Sequence, residues 1–355
     1  MMLDNIRALI REGKVEGAIE LVLSLEDKKE RFNMLCYIIE ELGPAFTEYP
    51  AIMDEIHSLL GDFEGPERAE GMACLAHSLW VAGADESERY MRGAIKEAKD
   101  IDDPLWRSEA LARVASYMAR MGLAEDAIYY FNIALETLRS LKLPYSMGIQ
   151  KLKELADLLV ETGDYLSESS ATEFYWLAKE IYNSLSLPLR AAEMDAKIRI
   201  VNEATEERTL AVVKALETGD MERAIALVKY LTDEERIAAL LEIAYWLVIH
   251  DRKDLAMSLI SDAFDAILRE KIKPADTELM SSAKKFIKIG LLDEALVLAG
   301  AMEDRDEASL LLKDIALALA RRGERGKALN IALGISNDRL REETLRRLEG
   351  DVGHE

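Results

Sequence analysis

Residues 101–136, IDDPLWRSEALARVASYMARMGLAEDAIYYFNIALE, predict two helices joined by a tight turn. Asp103 and Pro104 are typical of the N-cap and first position of a helix. The carboxylate accepts from an otherwise unpaired backbone N–H, and proline has no N–H to leave unpaired. Gly122 is typical of the residue that ends a helix, since glycine adopts the left-handed backbone conformation at little cost. The stretch therefore predicts one antiparallel helical hairpin.

Each helix of this hairpin has one apolar face. The two faces consist of residues at helical spacing, Leu111, Val114, Ala115, Met118 and Met121 in the first helix and Ala127, Phe131, Ala134, Leu135 and Leu138 in the second. Several of these residues are alanines, which allow two helices to approach closely. We therefore expect both faces to be buried between helices.

The same stretch resembles a tetratricopeptide repeat. Residues 122–136, GLAEDAIYYFNIALE, are similar to the second half of that repeat. The residues that stand where the family has Trp, Leu, Gly and Tyr are Leu111, Val114, Ala115 and Met118. The resemblance implies an all-α, right-handed α-solenoid of stacked antiparallel helical hairpins that binds proteins or peptides.

One kind of tetratricopeptide partner is not expected. Members that hold acidic C-terminal tails use a Lys and an Asn on the first helix of the repeat. The corresponding residues here are Ala112 and Ser116. The partner should therefore not be an acidic chaperone tail.

The hairpin signal recurs along the chain. A glycine followed five residues later by alanine occurs at Gly13/Ala18, Gly122/Ala127, Gly219/Ala224, Gly290/Ala295 and Gly323/Ala328. N-cap residues with Glu three positions later occur at Asp27, Thr232 and Asp304. A hairpin signal that recurs along the chain is typical of stacked helical pairs, and we expect about twenty helices.

The repeats fall into two arrays. Residues 13–27 recur at an offset of 206 as residues 219–233, which indicates a duplication. We place a boundary between an N-terminal array, residues 1–204, and a C-terminal array, residues 205–355, within one continuous solenoid. Residues 189–203 and 206–218 both resemble first helices. Thr205 is a candidate N-cap between them. Either a partner helix is missing or residues 189–218 form one long helix. The charged run 337–355 predicts a terminal cap.

Composition excludes several classes of protein. The net charge of −22 opposes binding to DNA or RNA. Two cysteines, Cys36 and Cys74, give no disulfide framework and favour a reducing compartment. No run approaches the roughly 18 apolar residues of a membrane span. The first residues have no apolar core of signal-peptide length, so we expect no signal peptide. We expect a cytoplasmic protein with no membrane partner, and the single glutamine resembles thermophile usage.

Few residues indicate catalysis or metal binding. Asp54 with His57 and Cys74 with His77 each place two possible ligands on one helix face, which allows a zinc site. Packing inside repeat helices is the preferred interpretation, because zinc sites show denser ligand sets. We therefore expect no metal, no cofactor and no catalytic residue.

A long acidic span is the first candidate binding surface. Residues 32–67 contain no Lys or Arg. Their carboxylates repel one another, so they form either a solubilising surface or a docking face for a basic partner. The candidate partner-binding residues are Glu40, Glu41, Glu48, Asp54 and Glu55.

Two aromatic triplets are the second candidate surface. Tyr129-Tyr130-Phe131 and Phe174-Tyr175-Trp176 cannot place all three rings in the core, because each helical step turns about 100°. Phe131 and Tyr175 are expected in the core. Tyr130 and Trp176 are the candidates for a peptide-binding groove.

The favoured function is a non-enzymatic scaffold that binds a protein or peptide, with a basic partner as the specific hypothesis. The alternative is an enzyme or small-molecule sensor with a pocket inside the array, near residue 204. Convergent polar groups with perturbed pKa values would support that alternative. The oligomeric state is not indicated.

Overall fold

A computed structural model describes residues 2–350, and this part of the chain is all-α. It contains twenty α-helices, as the repeat pattern predicts, and no strand. Their bounds are α1 Met2–Arg11, α2 Val15–Leu23, α3 Lys28–Leu42, α4 Pro50–Asp62, α5 Gly65–Val81, α6 Ser87–Lys99, α7 Pro104–Arg120, α8 Ala124–Ser140, α9 Tyr145–Tyr165, α10 Ala171–Ser184, α11 Pro188–Glu207, α12 Thr209–Glu217, α13 Met221–Val228, α14 Asp233–Ile249, α15 Lys253–Asp265, α16 Asp276–Ile289, α17 Leu292–Ala301, α18 Arg305–Arg321, α19 Arg325–Leu333 and α20 Asp338–Gly350.

Two short irregular segments interrupt this pattern. A 3₁₀ segment, Gly43–Glu48, precedes α4, and a π-helical segment, Ala266–Glu270, follows α15. The last helix covers most of the predicted terminal cap, and residues 351–355 of that prediction lie outside the described residues.

The predicted start and end of α7 are confirmed. The Asp103 carboxylate accepts hydrogen bonds from the backbone N–H groups of Leu105 and Trp106, at 2.8 and 3.2 Å. Gly122 has a φ of +81°, the left-handed conformation that lets the chain reverse into α8. The other repeat glycines, at 13, 219, 290 and 323, also have positive φ values. The recurring glycine therefore marks the turn inside these five hairpins.

Contacts between helices divide the chain into two units. The first runs to residue 166 and includes residues 170–198, and the second contains residues 167–169 and the chain from 199 onward. This division falls inside α11, whereas the sequence analysis places its boundary at 204.

The N-terminal unit is a stack of hairpins. The first helices of successive hairpins, α1, α3, α5, α7 and α9, contact one another in order. The second helices of the last three hairpins, α6, α8 and α10, each pair with the first helix before them. The buried seam is rich in alanine, and Ala94, Ala115, Ala127 and Ala134 are fully buried. Small side chains let the helices approach closely, so the two helices of each hairpin pack directly against each other.

The aromatic triplets contribute to this core as expected. Phe131 and Tyr175 are fully buried, which confirms their predicted packing. Phe131 meets Phe174 edge to face, with ring centroids 5.9 Å apart, and so joins α8 to α10.

The C-terminal unit repeats the same arrangement with α12, α14, α16, α18 and α20 as first helices. Residues 189–218 contain parts of two helices, α11 and α12, rather than one long helix. The prediction that Thr205 caps a helix is wrong, because Thr205 lies inside α11 and its hydroxyl donates to the Val201 carbonyl at 2.8 Å. The break is at Arg208, whose φ of +54° and ψ of −136° resemble those of Gly43.

Candidate interaction surface on the N-terminal unit

Polar side chains line one face of the first helices in the N-terminal unit. On α5 these side chains recur at 70, 74 and 77, and on α7 they recur at 109, 113, 117 and 120. This spacing places them on one side of each helix. Because α3, α5, α7 and α9 lie side by side, the residues form two rows that cross the helices. We call this surface the first-helix face.

The charged row crosses the face at one level. Glu70 on α5 accepts from Lys29 on α3 at 3.1 Å and from Arg113 on α7 at 2.6 Å. Arg113 also donates to Glu109 at 2.7 Å, and Lys151 on α9 lies 3.5 Å from the second oxygen of Glu109. Members of the charged row are Lys29, Glu70, Glu109, Arg113, Lys151 and Glu154. Alternating charges thus link four consecutive first helices.

The carboxylates of this row raise the pKa values of its cations. Partial burial alone would lower the pKa of Arg113, but Glu70 and Glu109 outweigh it and raise that pKa. The hydrogen bond to Glu154 likewise raises the pKa of Lys151. Both cations are therefore firmly charged at neutral pH.

A cleft of ≈ 430 Å³ opens beside the charged row and is lined by α5, α7, α8 and α9. Its charged lining residues are Glu70, Glu109, Glu154, Asp157 and Glu161 against Arg113 and Lys151. The Oε2 atom of Glu109 is buried and accepts no hydrogen bond of good geometry from the described residues, and the Lys151 ammonium lies 3.5 Å from it. A carboxylate oxygen without a close donor is costly, since burial removes the water that would otherwise serve it. Because carboxylates also outnumber cations in the lining, the cleft favours a further cation or donor group.

The second row crosses the same helices about two turns further along, roughly 10 Å away. Glu40 on α3 accepts from Ser78 at 2.7 Å and lies 3.2 Å from His77 Nδ1. A carboxylate only accepts, so His77 Nδ1 carries the proton in this contact. His77 Nε2 lies 3.3 Å from the Tyr165 hydroxyl on α9. With Tyr117 and Arg120 on α7, these residues form the histidine row.

Burial and hydrogen bonding shift several pKa values in the histidine row. Burial alone would raise the pKa of Glu40, but the hydrogen bonds from His77 and Ser78 outweigh it, so that pKa is lowered. Burial raises the pKa of Tyr117 well above its usual range, and interaction with Cys74 adds to this effect. Glu40 is thus ionised and Tyr117 neutral across the physiological range.

The possible metal ligands identified from the sequence take part in other interactions. His57 Nε2 lies 2.6 Å from the Tyr90 hydroxyl, and His77 contacts Glu40. Cys36 and Cys74 interact with each other as free thiols, and burial raises the pKa of Cys36. Within residues 2–350, no three His, Cys, Asp or Glu side chains form a group that could hold a metal ion.

The acidic residues proposed from the sequence lie in different surroundings. Glu40 belongs to the histidine row, Glu41 pairs with Arg7 at 2.9 Å, and Glu55 pairs with Arg31 at 3.0 Å. Glu48 and Asp54 are exposed. Cations from outside residues 32–67 thus neutralise part of the span.

Asp54 borders a second cleft, of ≈ 610 Å³, between α4 and the α5–α6 hairpin. The 3₁₀ segment Gly43–Glu48 contributes Pro44 and Phe46 to its wall.

The aromatic candidates lie on second helices. Tyr130 on α8 is half-buried, and its hydroxyl accepts from Lys99 at 3.2 Å. Trp176 on α10 is 54% exposed. Neither residue takes part in the charged row or the histidine row, so the candidate surfaces proposed from the sequence are not brought together.

Sequence reasoning missed most of the first-helix face. A signal was present, because the ion-pair partners Lys29–Glu70 and Glu70–Arg113 are separated by 41 and 43 residues. This spacing is one repeat period. Opposite charges one period apart predict contacts between consecutive first helices.

Comparison with known proteins identifies a related structure but no family. No protein-family model matches the chain, and a search of curated proteins finds no match. The crystal structure of Ton1535 from Thermococcus onnurineus NA1 is 26% identical, with 98% of both chains covered and a TM-score of 0.56. A circular tandem repeat protein with a novel repeat topology is 16% identical over 98% of this chain and 86% of its own, with a TM-score of only 0.20.

The chain is thus an all-α helical-repeat protein. None of the helices within residues 2–350 is long and apolar enough to cross a bilayer.

Proposed function

We propose that this protein is a non-enzymatic scaffold whose first-helix face binds a basic segment of a protein partner. The observation that carries the proposal is the buried Oε2 atom of Glu109, which accepts no hydrogen bond of good geometry from the described residues and has the Lys151 ammonium only at 3.5 Å. A lysine or arginine side chain from a partner would supply a closer donor. The tetratricopeptide resemblance of residues 101–136 supports the same class of function.

The charge of the cleft agrees with this proposal. Five carboxylates face two cations in its lining, and the whole chain carries a net charge of −22. A basic segment would be attracted over distances up to a Debye length, about 8 Å at physiological salt. The same field disfavours nucleic acid.

The proposal is tested with synthetic peptides of twelve residues in a Gly/Ser frame that carry three lysines, three glutamates or no charge. We expect the lysine peptide to bind best and its affinity to fall between 20 and 300 mM NaCl, measured by calorimetry. Glu109→Gln should weaken binding at least fivefold. Glu136→Gln is the control, because Glu136 is exposed on a second helix of the same unit.

A second variant separates the two acidic surfaces. Glu48→Lys/Asp54→Lys/Glu55→Lys reverses the acidic span and leaves the cleft intact. Loss of lysine-peptide binding in this variant, with none in Glu109→Gln, would move the binding site to residues 32–67. Equal affinity for all three peptides would refute the proposal.

The histidine row favours a second candidate, a small-molecule sensor or an enzyme. It combines convergent polar groups with a lowered pKa of Glu40 and a raised pKa of Tyr117. This combination lies on α3–α9 rather than near residue 204, where the alternative placed its pocket. A thermal-shift screen of small metabolites would support this candidate if a compound stabilises the wild type but not His77→Phe.

A further inference from the structure

Arg120 forms no ion pair with any residue from 2 to 350, although the protein is strongly acidic. Its guanidinium lies over the rings of Tyr117 and Tyr165, with the carbon atom Cζ 5.2 and 4.9 Å from their centroids. Nε is buried, and no described residue accepts from it. Across residues 2–350, Arg120 forms no hydrogen bond or ion pair, although many arginines of this chain pair with carboxylates.

The nearest carboxylate of the histidine row does not serve Arg120. Glu40 interacts with Arg120 electrostatically but forms no ion pair with it, and its Oε1 atom accepts from His77 and Ser78. Two tyrosine rings lie against the guanidinium, and none of its N–H groups donates to a described residue. A planar guanidinium fixed in this way matches the geometry of a carboxylate or phosphate.

We propose that Arg120 binds an oxyanion, a carboxylate or phosphate group, presented by the same segment whose basic residue enters the cleft at Glu109. This inference rests on the proposed function for the position of the segment. Tyr165, which is 51% exposed, borders this group. Trp80, which is 47% exposed, has its ring centroid 6.3 Å from that of His77 in the same row.

The distance between the two sites defines the partner. Arg113, which holds Glu109, and Arg120 are seven residues apart on α7, so the charged row and Arg120 are separated by about 10 Å. An extended chain advances about 3.3 Å per residue, so the basic residue and the oxyanion should be about three residues apart. A segment with a lysine and an acidic or phosphorylated residue at that spacing fits both sites.

The first experiment uses peptides in the same Gly/Ser frame, each with one lysine and with glutamate one to six residues away. Matched peptides carry glutamine or phosphoserine at that position. We expect glutamate to bind at least fivefold more tightly than glutamine at a spacing near three and less so at other spacings. A still larger gain with phosphoserine would identify phosphate as the source of the oxyanion.

Variants of Arg120 distinguish a specific contribution of this residue to glutamate binding from a general effect of the protein's charge. Arg120→Met should abolish the preference for glutamate and keep the dependence on lysine, while Arg120→Lys should keep part of the preference. Arg92→Met is the control, because Arg92 is exposed on α6. Lysine-dependent binding with equal affinity for glutamate and glutamine at every spacing would overturn the inference and leave the proposed function standing.

A second measurement tests oxyanion binding at Arg120 without a lysine-containing peptide. Sodium acetate and inorganic phosphate are titrated alone at constant ionic strength, and the Nε–H resonance of Arg120, assigned with Arg120→Lys, is followed by NMR. A saturable shift supports the oxyanion site even if no lysine peptide binds. A shift that is linear or absent, together with no preference for glutamate, refutes it.

Discussion

Glu242 and Lys285 form a buried ion pair in the C-terminal unit, and its removal provides a quantitative test of the packing between α14 and α16. The Lys285 ammonium lies 2.5 Å from Glu242 Oε2. The Glu242 side chain is 9% exposed and the Lys285 side chain 28% exposed. The two ends of the pair therefore differ, since the lysine reaches solvent and the glutamate does not.

We predict that Lys285→Met costs more than Glu242→Leu. Removing one partner of a buried pair typically costs 3–5 kcal/mol, because the remaining charge is uncompensated. The partial exposure of Lys285 reduces this cost to about 2–3 kcal/mol for Lys285→Met. Glu242→Leu should cost about 1 kcal/mol, since the lysine can turn towards water. The double variant should lie within about 1 kcal/mol of the wild type.

Urea unfolding followed by Trp246 fluorescence measures these differences. Trp246 lines the same cleft as Glu242 and Lys285 and is the single tryptophan of its unit. The other three, Trp80, Trp106 and Trp176, are about half exposed and are changed to Phe in the background. With an m-value of about 2 kcal/mol/M, Lys285→Met should lower the midpoint by about 1–1.5 M. A double variant as unstable as Lys285→Met would refute the reasoning.

Two further predictions concern the N-terminal unit. Gly163→Ala should destabilise it by about 1–3 kcal/mol, because the added Cβ would lie 2.8 Å from a tyrosine ring carbon. Gly148→Ala in the same helix meets nothing closer than 4.0 Å and should gain about 0.5–1 kcal/mol, as measured by thermal melts. Ser78→Ala removes a donor that lowers the pKa of Glu40 below its usual 4.5. A carboxyl group whose pKa is lowered by folding stabilises the folded state at pH values above its pKa in the unfolded chain. This stabilisation is lost as the pH falls through its pKa in the folded state. The variant should therefore be less stable at pH 7 and lose less stability on acidification, as shown by melts from pH 7 to 3.

The hairpins could be predicted because their signals are local. Asp103 caps α7 through backbone groups two and three residues away, and Gly122 reverses the chain at the residue where its positive φ is needed. Arg208 shows the limit of this reasoning. Its backbone conformation matches that of Gly43, but an arginine gives no sequence signal for it. The sequence therefore predicts the break between α11 and α12 at the wrong residue.

The candidate site could not be predicted from local signals, because its contacts join residues in different repeats. Glu70 meets Lys29 and Arg113 across 41 and 43 residues. Each of these side chains alone is typical of a solvated helix surface. The charge cluster that is visible along the sequence is instead the acidic span of residues 32–67. Part of that cluster is neutralised by cations from elsewhere, such as Arg7 at Glu41.

The first-helix face is the part of a repeat that is free to differ between copies. The seam inside each hairpin is buried and must remain small and apolar, as Ala127 and Ala224 illustrate at equivalent positions. In the C-terminal unit the face pairs Glu242 with Lys285, one repeat period of 43 residues apart. In the N-terminal unit the cleft beside the charged row is lined by five carboxylates and two cations. Because an equal pair neutralises itself and this unequal lining does not, the N-terminal unit has the stronger physical reason to bind a partner.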